Sequence, residues 1–82
     1  MSRAALKMET VWLRLRDYAI VPLKIRLTDR MTELTHVLKK GVQALPDARR
    51  TNFYDVELEN GWAYVHVRDD ARTVYVIAIT GA

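Results

Sequence analysis

His66, in the alternating run "WAYVHVR" at residues 62–68, is the side chain best suited to acid–base chemistry. Asn60-Gly61 between two alternating runs predicts a two-residue hairpin turn, because a type I′ turn needs positive φ at both central positions. That register sets Asp55 on one flank of His66, and a second hairpin turning at Asp70-Ala71 sets Tyr75 on the other. A His-Asp pair is the orienting half of a nucleophilic triad, which also needs a nucleophile and an oxyanion site. No serine or cysteine falls on this face, and Thr73 is a poor substitute. His66 is therefore expected to be structural or interfacial, and no catalytic residue is assigned.

Other reactive groupings are sparser. Glu33 stands three residues before His36, but one Glu-x-x-His without a second copy falls short of a dimetal site. Two distant histidines and no cysteine do not make a zinc site. Gly41, Gly61 and Gly81 are the only glycines, so a glycine-rich phosphate loop is ruled out. No metal or cofactor is expected. Nucleic acid is a weaker option: Lys24, Arg26, Arg30, Lys39, Lys40, Arg49 and Arg50 could contact an anion as a basic helix plus loop. They lack interleaved aromatic residues, and the sheet half of the chain is acidic.

The elements that must position these residues follow from periodicity. Ile20, Leu23, Leu27, Met31, Leu34, Leu38, Val42 and Leu45 recur at spacings of three and four, which predicts a helix over about 22–45, with Pro22 in its first turn and Pro46 past its end. A competing reading makes Leu23, Ile25 and Leu27 a short strand ahead of a shorter helix capped by Thr28 or Asp29. Met8, Val11, Trp12, Leu15 and Tyr18 predict a first helix at about 4–18; alternation of Val11, Leu13 and Leu15 supports a strand at about 10–16 instead. "PDARRTN", residues 46–52, reads as a loop.

From Phe53 the period becomes two, and "FYDVELE", "WAYVHVR" and "TVYVIAI" read as three antiparallel strands. One face, with Tyr54, Val56, Leu58, Ala63, Val65, Val67, Val74, Val76 and Ala78, is suited to helix packing. The other combines Asp55, Glu57 and Glu59 with an apolar and aromatic patch of Trp62, Tyr64, His66, Tyr75, Ile77 and Ile79, and such a patch marks an interaction surface. The expected architecture is α+β: a helical hairpin packed on one face of a three-stranded antiparallel meander, in a single domain over 1–82 (helical part about 4–45, sheet about 53–79).

Composition bounds the function. The 82 residues form one small domain that buries only part of its surface, a shortage that a homodimer relieves. The lack of cysteine and of any apolar run near the roughly 18 residues of a spanning helix predicts a soluble, cytoplasmic protein with no membrane role. The net charge of +3 conceals a division: residues 1–52 carry 11 Lys and Arg against 5 Asp and Glu, and residues 53–82 carry 2 against 5. Opposite halves of this kind attract each other within or between chains.

The rhythm of "FYDVELENGWAYVHVRDDARTVYVIAI" after a helical hairpin is similar to the sheet of the RelE/ParE type of small toxin, across roughly residues 20–79. The resemblance implies a strand before the hairpin and ribonuclease or ribosome-binding activity, with His66 and Arg68 near the active surface. Ala63 follows Gly61-Trp62 where many members carry arginine, which implies a divergent, inactive member. The primary expectation from the residues is a non-enzymatic interaction domain, homodimeric through the face of Trp62, Tyr64, His66, Tyr75 and Ile77.

Overall fold

The structure, a computed structural model, describes residues 9–81. In chain order it contains β1 (Val11–Leu13), β2 (Ala19–Pro22), a 3-10 helix (Ile25–Arg30), α1 (Met31–Lys40), β3 (Val42–Pro46), β4 (Phe53–Leu58), β5 (Gly61–Arg68) and β6 (Thr73–Gly81). All six strands join one sheet in the order β1-β3-β4-β5-β6-β2, antiparallel throughout except for the parallel β2–β6 pair. No helix among the described residues is long and apolar enough to cross a membrane.

This corrects the expected helical hairpin on a three-stranded meander. The three predicted strands form the centre of the sheet, but most of the predicted helical half is not helical. In place of a helix at about 4–18 the chain forms β1, as the strand alternative at about 10–16 anticipated; residues 4–8 lie outside the described residues. In place of one helix over 22–45 there are a strand, a 3-10 helix, a ten-residue α-helix and another strand. The misleading stripe has a physical origin: Ile20 and Val42 pack on the same core as Leu27, Leu34 and Leu38, so a curved path of several elements mimics one helical face.

Two residues end the helical reading early. Pro22 is tolerated because β2 is an edge strand: the Ala19 N–H donates to the carbonyl of Arg72, just before β6, and the Leu23 N–H to that of Val76 on β6, so by alternation position 22 turns its missing donor away from the ladder. Gly41 terminates α1 at φ +117°, and a Cβ there would lie 2.2 Å from a ring carbon of Trp12. Both the backbone and the ring therefore require glycine. Lys39 and Lys40 complement the negative end of the helix dipole.

The core lies between α1 and one face of the sheet. Leu34 and Leu38 are fully buried against a layer that includes Val56, Val65, Val67, Val74 and Val76, with Leu13, Leu15 and Leu27 closing the sides. No polar or charged residue is buried among the described residues. The link from Leu13 to Ala19 reaches at most about 22 Å, less than the roughly 24 Å that the five interstrand gaps would span in a flat sheet. The sheet must curl around α1. That link is tied to the helix end, where the Leu15 N–H donates to the Leu38 carbonyl at 2.8 Å and Lys39 Nζ donates to the carbonyls of Arg16 and Tyr18 at 3.1 and 3.2 Å.

Both hairpin registers differ in detail from expectation. Leu58 pairs with Gly61, so the first turn centres on Glu59-Asn60, neither of which has positive φ. Gly61 instead joins the ladder, where its bare Cα lets β6 approach: a Cβ would fall 1.9 Å from the Thr80 carbonyl oxygen. The Glu59 N–H is taken by Glu33 Oε2 at 2.6 Å, which ties the turn to α1. A shift of two residues preserves every face assignment on β4 and β5. In the second hairpin Arg68 pairs with Thr73 and His66 with Tyr75, but a bulge leaves Ile77 unpaired and sets Tyr64 against Ala78 and Ala63 against Ile79.

Replacing Gly41 with alanine is expected to destabilise the fold by about 1–3 kcal/mol, a cost typical of strained backbone positions, read as a lower midpoint in urea unfolding. An unchanged midpoint would show that neither the φ nor the Trp12 contact constrains this position.

Candidate functional site

The outer face of the sheet, opposite α1, carries a row of rings held by strand pairing. Phe53 on β4 is directly opposite His66 on β5, and the two rings stack at 4.1 Å with an interplanar angle of 5°. Tyr75 on β6 lies on the other side of His66, ring centroids 6.4 Å apart. Tyr64 adjoins Phe53 at 5.7 Å. From the loop before β4, the Arg50 guanidinium lies over the Phe53 ring at 5.3 Å, within cation–π range.

This geometry changes the environment expected for His66. The two-residue shift places Phe53, rather than Asp55, opposite the imidazole, and Asp55 stands opposite Tyr64. The orienting carboxylate of a triad is therefore replaced by a stacked hydrocarbon ring. Arg68 is engaged on its own turn: its Nε and Nη2 donate to Oδ1 and Oδ2 of Asp70 at 3.0 and 2.7 Å. The hydrogen bonds and charge of this exposed pair hold the Asp70 carboxyl below its ordinary range and raise the Arg68 guanidinium.

Five of the six residues expected on one face lie together. Trp62, Tyr64, His66 and Tyr75 share the outer side, each half-buried, and Ile77 lines its groove from the bulge. Ile79 is the exception. Because the bulge inserts one residue, Ile79 packs against the core and Ala78 replaces it on the outer side, the reverse of strict alternation. Leu23, Arg50, Phe53, His66, Tyr75 and Ile77 together line an open groove of about 480 Å³. Of the lining, Leu23 is 57% exposed, and Val21, paired with Tyr75, is exposed beside it.

The basic residues are spread over several elements. Arg30 joins Lys24 and Arg26 beside Leu27 and residues 77–79, around a second cavity of about 250 Å³. Lys39 is occupied with the carbonyls of the β1–β2 link, Lys40 ends the helix, and Arg49 and Arg50 belong to the loop before β4. His36 is exposed on α1, and no cluster of three or more His, Cys, Asp or Glu side chains occurs among the described residues.

Sequence reasoning missed Asp47 and Leu23. Asp47 accepts a hydrogen bond from the Tyr64 hydroxyl, and its Oδ1 accepts the Arg49 N–H at 2.8 Å. These bonds, with the charges of Arg50 and Arg49, hold its carboxyl below the usual aspartate range, and the same hydrogen bond raises the Tyr64 phenol. No sequence pattern links Asp47 to Tyr64, since the contact arises from a loop folding over the sheet end. Leu23 is visible in the sequence as part of an apolar stripe or a short alternation, neither of which places it beside His66.

A carboxyl whose folded pKa lies below its unfolded value stabilises the fold above the unfolded pKa, and that contribution disappears as pH falls through the folded pKa. Tyr64→Phe is expected to move the Asp47 titration upward toward the ordinary range and to lower stability above the unfolded aspartate pKa, a difference from the wild type that disappears as pH falls through the folded pKa. Carboxyl carbon NMR titration reads the shift directly; an unmoved Asp47 titration would rule out the Tyr64 hydrogen bond as its main cause.

No family model, curated protein or solved structure matches this chain.

Proposed function

We propose that this chain is a non-enzymatic interaction domain that pairs with a second copy of itself through the outer face of its sheet. The observation that carries the reading is the apolar pair of Val21 and Leu23 left exposed at the groove of Phe53, His66, Tyr75 and Ile77. Contiguous apolar surface of this kind is retained on a soluble domain where something covers it. Association through a face also suits the edges. β2 is blunted by Pro22, and β1 has only three residues to offer to another strand.

The ring row favours contact over chemistry. His66 is clamped between Phe53 and Tyr75, and aromatic side chains ordered before contact lose little entropy on association. A second copy would supply the apolar layer that a small chain lacks on this side.

Leu23→Asp tests the reading at little cost to folding, because the wild-type side chain is 57% exposed. Light scattering on a sizing column is expected to give a dimer for the wild type and a monomer for the variant at the same micromolar concentration. A wild-type mass of 9.5 kDa throughout would overturn self-association.

A further inference from the structure

Past the end of β2 the edge of the sheet changes character. β2 pairs with β6 only as far as Pro22 and Val76, and the chain then leaves the ladder for the 3-10 helix, which stands beside β6 in place of a strand. A neighbouring strand would close the gap at about 4.8 Å. A helix cannot approach a strand edge so closely, and a cavity of about 250 Å³ is left, lined by both elements. Its walls are of two kinds. Leu27, Ile77 and Ile79 form an apolar side that reaches the core, since Leu27 is buried and Ile79 packs against the same cluster. Lys24, Arg26 and Arg30 form a cationic side, and no acidic side chain lines the cavity. Asp29, on the same 3-10 helix, is exposed and lies outside the lining. Among the described residues none of the three cations is engaged in an ion pair or a side-chain hydrogen bond, whereas Arg68 is closed onto Asp70.

Three like charges gathered on one cavity repel one another, and an anion seated among them removes that cost. The charge count sets the class of anion. A carboxylate offers a single negative charge, whereas a phosphate monoester carries roughly two at neutral pH on three acceptor oxygens. Those oxygens can accept from two guanidinium forks and an ammonium at once. A bare phosphate would leave the wall of Leu27, Ile77 and Ile79 uncovered, and the carbon chain of an ester covers it. The volume suits a compact ligand, since about 250 Å³ lies below the roughly 300–1,000 Å³ of pockets for larger molecules. We infer that this cavity is a binding site for a small organic phosphate monoester. Lys24, Arg26 and Arg30 hold its phosphate, and its hydrocarbon part lies against Leu27, Ile77 and Ile79. The donors are side chains rather than the backbone of a glycine-rich loop, so the site leaves no phosphate motif in the sequence. The site does not depend on self-association.

Butyl phosphate tests the site, read by NMR shifts of the Leu27, Ile77 and Ile79 methyl groups in the full chain. Saturable shifts of these methyls are expected. Inorganic phosphate and butyrate, each lacking one half of the ligand, are expected to bind about tenfold more weakly or worse. Arg30→Gln and the double variant Lys24→Gln/Arg26→Gln are each expected to weaken butyl phosphate by about tenfold or more, the scale of a lost charge-assisted hydrogen bond. Arg14→Gln removes an exposed cation outside the cavity and is expected to leave the affinity within about twofold. Far-ultraviolet circular dichroism checks that each variant is folded. Methyl shifts that fail to saturate across the millimolar range would overturn the site, as would an Arg14→Gln loss equal to that of Arg30→Gln, which marks general charge attraction. Inorganic phosphate binding as tightly as the ester would overturn the role of the apolar wall, and butyrate doing so would overturn the choice of phosphate. A monomeric wild type bears on self-association alone.

Discussion

Leu34 and Leu38 of α1 must be hidden from water, and only the valine face of the sheet can hide them. Full burial of one such side chain contributes about 1.5–3 kcal/mol, and both are completely enclosed by a layer centred on Val56, Val65, Val74 and Val76. Ten residues of helix cover only a narrow strip, so the remaining strands must bend toward it. The short β1–β2 link enforces that curl and is fastened to the helix end through Leu15 and Lys39. Committing one face to the core leaves the other side to carry Asp55 and Glu57 and the rings of Phe53, Tyr64, His66 and Tyr75.

The same division explains which parts of the fold were legible in the sequence. Strict alternation from Phe53 onward identifies three strands and the inner valines, because period-two burial leaves a direct trace. Even the misplaced first turn did no damage to face assignment on β4 and β5, since the error was two residues. The bulge at Ile77 did: one inserted residue sent Ile79 to the core and Ala78 outward. No residue type in "VYVIAI" marks where the insertion falls. The N-terminal half misled more deeply, since spacings of three and four arise when different elements visit one core, and parallel pairing between Ala19–Pro22 and the last strand has no local signature.

At the candidate site the residue types were legible but their company was not. The sequence places Trp62, Tyr64, His66 and Tyr75 on one face, yet the neighbour of His66 depends on a register that the glycine at 61 and the Glu33 contact decide together. Phe53 rather than Asp55 pairs across from the imidazole and stacks on it, so the carboxylate that would orient the histidine stands opposite Tyr64 instead.

The most direct test is an isotope-filtered NMR measurement on a mixture of labelled and unlabelled chain, which detects only contacts between copies. Contacts from the methyl groups of Leu23 and Ile77 to the Phe53, His66 and Tyr75 rings of the other copy are predicted. Intermolecular contacts confined to α1 or β1, or none at all in a monomeric sample, would contradict an interaction domain built on the outer face.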